Sequence, residues 1–239
     1  MVVHNKLKLL VLDLDGTLTQ HKCEMDDRCR SILDELAACY QLLILGAGSC
    51  ERIYKQTGDY PIEIIGYYGM QRSEIINNRF VLAKNQKINV DKEEVSRRIV
   101  YLRNELGFKD FTGESVEFHE SGVITFPILG TQAPIEKKIA FDPGRSKRRS
   151  YHSKVQNIFF DYSVFIGGSS SFDIVPYPYN KLNALEEYIK RKGFSRENVM
   201  CFGDDYGVGG NDELLYRSGI PFMRVDDYRS FPDLAENYL

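Results

Sequence analysis

Three apolar runs that each end in small or acidic residues constrain this chain more than any other feature of its sequence. LKLLVLDLD (7–15), QLLILGAGS (41–49) and VMCFGDD (199–205) each read as a buried strand that stops on functional groups. Each is followed or preceded by a stretch of helical period. Residues 24–39 place Met25, Cys29, Ile32 and Leu36 on one face, and CERIYKQTG (50–58) closes on a glycine. IEIIGYYG (62–69) adds a strand, NKLNALEEYIKRKG (180–193) and NDELLYRSG (211–219) add helices, and PFMRV (221–225) a last strand. Alternating strands and helices predict a parallel sheet covered by helices, and the carboxyl ends of such strands share the edge where ligands bind.

The middle of the chain has a different pattern. DKEEVSRRIVYLRNELG (91–107) reads as an amphipathic helix with Val95, Ile99, Leu102 and Leu106 along one side. SVEFHESGVITFPI (115–128) and YSVFIGGSSSFDIVPY (162–177) read as hairpins, with a charged helix from about Gly144 to Phe160 between them. The expected organisation is therefore a discontinuous α/β core, residues 1–82 and 178–239, with an α+β domain inserted over 83–177.

Composition limits the partners. Of 239 residues, 31 are Lys or Arg and 34 are Asp or Glu, so a formal net charge of -3 offers nucleic acid no global attraction. The 15 Tyr and 14 Phe are accordingly read as packing rather than base stacking. No apolar run approaches the roughly 18 residues of a membrane span, and the carboxylates of DLDGT exclude a signal peptide, so a cytoplasmic protein is expected. The five cysteines form no CxxC pair. Cys23, Cys29, Cys39 and Cys201 read as small apolar fillers, and Cys50, although next to Ser49, as an inert one.

Asp13 and Asp15, Ser49, and Asp204 and Asp205 thus converge at three strand ends. One aspartate at a strand end is as readily a turn or cap; three ends together point to a site. Clustered carboxylates repel unless a cation sits among them, and all-oxygen ligands favour a hard ion such as Mg²⁺. A carboxylate can attack phosphorus and form an aspartyl phosphate, and a second one can move the proton of the leaving or attacking oxygen. Lys181 adds a fixed positive charge, and Ser49 a hydroxyl at a helix start.

These residues also carry a family resemblance. DLDGTLT (13–19) resembles the first motif of the haloacid dehalogenase superfamily, DxDGTxT; GAGS (46–49) resembles the second, and Lys181 falls at the third. GDDYGVGGND (203–212) and IGGSSSFDIVPYPYNK (166–181) are similar to the fourth motif and the hinge of the phosphomannomutase branch. The resemblance implies a Rossmann-like core with an inserted cap. It implies Asp13 as nucleophile and Asp15 as general acid/base. It implies Mg²⁺ held by Asp13, Asp15 (through its backbone carbonyl) and Asp204, with Asn211 and Asp212 supporting the metal shell. Gly48, Ser49 and Lys181 would hold the transferring phosphoryl group. Lys22 stands near an arginine that reads a second phosphate, and Ser171 and Asp173 match cap residues that hold sugar hydroxyls. A homodimer through the cap is implied as well.

Two departures separate the chain from that branch. Where the cap is expected to carry arginines for a distal phosphate, His119, Thr131 and Lys138 stand, and none presents the planar fork of a guanidinium. The third strand ends YYGM in place of an Asn-Gly pair. The basic run GRSKRRSYHSK (144–154) either compensates or forms a solvated helix face. The expected function is a Mg²⁺-dependent phosphatase of a small phosphorylated metabolite, a sugar phosphate; the alternatives are a phosphomannomutase-type phosphotransferase and a non-catalytic sugar-phosphate-binding protein.

Overall fold

The structure, a computed structural model, describes residues 6–239. Met1–Asn5, the start of the opening stretch read above, lie outside the described residues. The chain divides into two compact units: one takes the residues up to Asn85 with Lys181–Tyr206 and Asp212–Leu239, the other Gln86–Asn180 with Gly207–Asn211.

In the first unit, β1 (Leu9–Leu12) leads to α1 (Asp27–Ala37), β2 (Gln41–Leu45), α2 (Cys50–Gln56) and β3 (Glu63–Gly66). A hairpin follows, β4 (Gln71–Ile76) and β5 (Arg79–Asn85). The second unit contributes α3 (Lys92–Leu106), β6 (Glu117–Phe118), β7 (Ile124–Pro127), α4 (Ile135–Phe141), α5 (Ser146–Ile158), β8 (Tyr162–Gly167) and β9 (Ser171–Pro176). The chain returns to the first unit with α6 (Lys181–Lys192), β10 (Val199–Gly203), α7 (Glu213–Arg217), β11 (Phe222–Arg224) and α8 (Phe231–Ala235).

The first unit is an α/β layer structure on a seven-stranded sheet of order β11-β10-β1-β2-β3-β4-β5. Its first five strands are parallel, and β4 and β5 extend it antiparallel. Leu9 to Leu12 are all buried because both faces of β1 are covered: Leu10 and Leu12 pack with α1, α2 and α8, Leu9 and Val11 with α6 and α7. The β4–β5 hairpin was not legible as such. Its turn is Asn77-Asn78, both left-handed (φ 52° and 56°), as a type I′ turn requires.

The second unit is a four-stranded antiparallel sheet, order β6-β7-β9-β8, whose one face packs on α3 and α5 through Val95, Ile99, Leu102, Phe126, Val155 and Phe172. The basic run 144–154 is not a uniformly solvated face. Arg148 is buried and pairs with Asp142 at 3.0 Å, while its guanidinium donates to the carbonyls of Gly167 and Gly168. The cysteine reading needs a correction: Cys29, Cys50 and Cys201 are buried fillers, but Cys23 and Cys39 are exposed because both fall in turns outside the helices. No helix among the described residues is long and apolar enough to cross a membrane.

Candidate active site

The DLDGTLT segment alternates by design of its leucines. Leu12, Leu14 and Leu18 anchor in the core, so Asp13 and Asp15, which alternate with them, emerge at the end of the strand. The chain then reverses through Gly16, whose amide donates to the Thr19 carbonyl. Gly16 has φ +101°, and a Cβ there would collide with the Asp204 carboxylate. Glycine is thus required both by the backbone and by the approach of β1 to the end of β10.

Asp13 extends the β1–β10 ladder by one bond, its amide donating to the Phe202 carbonyl. Its Oδ1 accepts from Lys181 Nζ at 2.6 Å and its Oδ2 from the Thr17 hydroxyl at 3.1 Å. Lys181, the first residue of α6, is fully buried and also donates to Asp212 Oδ1 at 2.7 Å. Burial works against its charge, but Asp13 and Asp212 outweigh it and hold the ammonium protonated. Burial lifts Asp13 to about 6; Lys181 opposes the rise, and Asp212 adds to it.

Carboxylate oxygens of Asp13, Asp204 and Asp212 lie within 4.8 Å of one another. Three carboxylates against one ammonium leave the cluster net negative, and its donors are all hard oxygens, so the residues fit Mg²⁺.

Asp15 faces the other neighbour of β1. Its Oδ2 accepts from Arg52 at 2.9 Å, and its Oδ1 from Gln56 Nε2 at 2.9 Å and the Lys22 amide at 2.8 Å. Burial would raise its pKa, but Arg52, then His21, Gln56 and the Lys22 amide hold it at about 2. Ser49 caps α2, its hydroxyl accepting from the Arg52 amide at 3.1 Å. Gly48 lies directly beneath the Arg52 guanidinium, which a Cβ would strike. Lys22 contributes its backbone amide to the site; its side chain is exposed, and its φ of 59° turns the chain there. Cys50 is buried with its thiol pushed up to about 12 by burial, so it is no nucleophile.

The structure therefore brings Asp13, Asp204, Asp212 and Lys181 together, and Asp15 with Lys22 and the start of α2. Lys138, Ser171, Asp173 and Asn211 belong to the second unit. There Lys138 donates to the Thr131 carbonyl at 2.7 Å and Ser171 to the Gly167 carbonyl at 2.9 Å. Asp173 accepts from the Thr125 hydroxyl, which also meets His119 at 3.0 Å. Sequence reasoning missed Arg52, Gln56 and Thr17. Spacing was the one hint, and it does not set them apart from a solvated helix face: Arg52 and Gln56 stand three and seven residues after Ser49, on one face of the helix that starts there. Tyr68 occupies the expected Asn position in a left-handed conformation, φ 57°, which asparagine tolerates more readily than a bulky side chain.

Known proteins resemble this chain in sequence and in fold. The chain is 25% identical over 233 residues to a phosphomannomutase of Encephalitozoon cuniculi, covering 92% of this chain and 90% of that one. The fold matches an IMP-bound IMP-nucleotidase mutant of Plasmodium falciparum with a TM-score of 0.73 at 15% identity, over 97% of this chain and 68% of the other. It also matches a haloacid dehalogenase-like hydrolase from Bacteroides thetaiotaomicron, TM-score 0.59 at 17% identity, over 98% and 100% of the two chains. The sequence model of the haloacid dehalogenase-like hydrolases covers residues 69–215, more than half of the length. The aspartate pair, the buried lysine and that match agree, and the chain belongs to the haloacid dehalogenase-like hydrolase family.

Proposed function

We propose that this protein is a Mg²⁺-dependent phosphotransferase of the phosphomannomutase type, acting on a hexose phosphate through Asp13. The observation that carries the phosphoryl-transfer reading is the Asp13 carboxylate, buried at a strand end and paired to Lys181 at 2.6 Å. Similarity along nearly the whole length of a phosphomannomutase favours transfer between sugars over the hydrolysis that the arginine-poor hairpin suggests.

Asp13, Asp204 and Asp212, with the Asp15 backbone carbonyl, would hold Mg²⁺, which when bound neutralises the cluster and polarises the phosphoryl oxygens. An Asp13 oxygen attacks phosphorus, and the bond to the sugar oxygen breaks as Asp15, ionised in the resting site, hands that oxygen the proton it took from an attacking hydroxyl in the preceding half-cycle. A second hydroxyl then attacks the aspartyl phosphate; Asp15 takes its proton and Asp13 leaves. Lys181 stays charged and holds Asp13 in place throughout.

Hydrolysis is the second reading, with water as the second nucleophile. One observation favours it: Arg103 and Arg148, the buried arginines of the second unit, spend their donors within that unit. Arg103 donates to the carbonyls of Phe108, Ser115, Pro127 and Ile128 and to the Ser115 hydroxyl, and Arg148 to Asp142 and the 167–168 carbonyls. Phosphorus NMR of mannose 1-phosphate with Mg²⁺ and a trace of hexose 1,6-bisphosphate separates the two. Growth of mannose 6-phosphate is expected; inorganic phosphate without isomerisation establishes the hydrolase. The proposal includes a homodimer through the second unit, whose α3 exposes Val100 and Tyr101, and sedimentation velocity checks it.

A further inference from the structure

We propose that Arg52 and Gln56 are positioning residues for proton transfer: together they fix the Asp15 carboxylate so that one oxygen, Oδ2, faces the sugar oxygen that gains or loses a proton. The inference rests on the phosphoryl-transfer reading of the same site and assigns roles to two residues outside its motifs.

The geometry is a closed ring. Arg52 donates to Asp15 Oδ2 at 2.9 Å and to Gln56 Oε1 at 2.7 Å. Gln56 in turn donates to Asp15 Oδ1 and to the Thr19 hydroxyl, both at 2.9 Å. The Gln56 amide therefore cannot be reversed without losing its bonds to Arg52 and Asp15, and Gln56 is nearly sealed from solvent at 8% exposure. The Lys22 amide adds a second donor to Oδ1.

A carboxylate offers about four lone-pair directions. Two donors fill Oδ1, and one donor lies on Oδ2, so the ring leaves Oδ2 the oxygen with acceptor capacity to spare. The carboxylate is thus held by Arg52 and Gln56 of α2 and by the Lys22 amide, whereas Asp13 is held by Lys181 of α6. The two aspartates thus present their reacting oxygens to different atoms of one substrate: Asp13 to phosphorus, Asp15 to the bridging oxygen. A free Asp15 side chain would rotate about two torsions, and fixing a reacting group in position is a recognised source of rate.

Local packing supports the assignment. The Arg52 side chain lies across Gly48, which has no Cβ to obstruct it. Its backbone amide is held by the Ser49 hydroxyl, so the same cap that starts α2 sets where the guanidinium can reach.

The test separates proton delivery from phosphate binding by varying the leaving group. The parameter kcat/KM reports steps up to formation of the aspartyl phosphate. It is measured with Mg²⁺ for p-nitrophenyl phosphate, phenyl phosphate and benzyl phosphate, whose departing oxygens need a proton increasingly. Gln56→Leu, which breaks the ring while leaving the Arg52 charge beside Asp15, is expected to lower kcat/KM for benzyl phosphate about 10- to 100-fold, within the range of general acid–base catalysis. The value for p-nitrophenyl phosphate is expected to change by less than about threefold, since its leaving group departs unprotonated. Arg52→Lys keeps the charge but loses the fork that meets both Asp15 and Gln56, and should show a smaller loss of the same kind. In an Asp15→Ala background neither substitution should have a further effect. Equal losses on all three esters, or undiminished losses in the Asp15→Ala background, would overturn the proposal while leaving phosphoryl transfer intact. Wild-type protein that releases none of the three alcohols and also leaves mannose 1-phosphate unchanged would instead overturn the underlying reading.

Discussion

Asp13 and Asp15 are separated by a single leucine and titrate in opposite directions. Burial carries Asp13 up to about 6 from an ordinary 3.8, and Arg52 with its neighbours brings Asp15 down to about 2. The signs follow from which state holds the proton. Between about pH 4 and 6 the folded chain keeps a proton on Asp13 that the unfolded chain has lost. Without metal, Asp13 therefore makes stability fall as pH rises through that window. Asp15 does the reverse: its contribution of about 2 kcal/mol is present above pH 4 and lost as pH falls towards 2. Urea titrations in EDTA should show the first slope vanish in Asp13→Asn and the second in Asp15→Asn. Gly16 gives a second prediction at this scale. Gly16→Ala forces a left-handed alanine against Asp204, so Mg²⁺ affinity measured by calorimetry should fall at least about tenfold, with a stability loss of about 1–3 kcal/mol. The aspartates were legible because strand ends in a parallel sheet share an edge. Arg52 was not, because a helix-face arginine looks like any solvated one until the fold brings it to Asp15.

Elements that announced themselves were those with sustained period and clear stops. α3 begins on the Asp91 cap and ends at left-handed Gly107, and the sequence bounds it within a residue or so at each end. β4 and β5 were missed because an Asn-Asn turn is a weaker signal than Asn-Gly, and because β5 is a sheet edge with Val81 and Leu82 partly exposed. α4 was missed for want of a buried stripe: none of its residues is buried, so nothing in its pattern marks an inward face. α5 carries the element-scale prediction. Arg148 and Asp142 form a buried pair, and the same guanidinium ties the turn between β8 and β9. Arg148→Met strands the Asp142 charge and should cost about 3–5 kcal/mol. The loss belongs to the second unit, so denaturation followed by hydrogen exchange should show β8 and β9 amides deprotected while β1 and β2 keep theirs.

At the scale of the whole molecule, the chain crosses between its two units four times, and the last excursion is only five residues long. Hydrogen exchange in intermediate urea is expected to group residues 86–180 apart from the parallel strands, since each unit has its own apolar core. Gly207–Asn211 should exchange with the former. Within that second unit the Gly209 carbonyl accepts from the Ile166 amide at 2.7 Å, and the Val208 carbonyl accepts from Arg149 at 2.7 Å. Sequence placed this stretch with the core, because it stands inside a motif whose flanking aspartates are there. Moving the second unit into another core would cut the chain near residues 85 and 180. A chimera that took only residues 86–180 would carry the Ile166 amide of β8 away from the Gly209 carbonyl, left behind in the donor. Cap and loop 207–211 form one heritable module, written in two separate places along the chain.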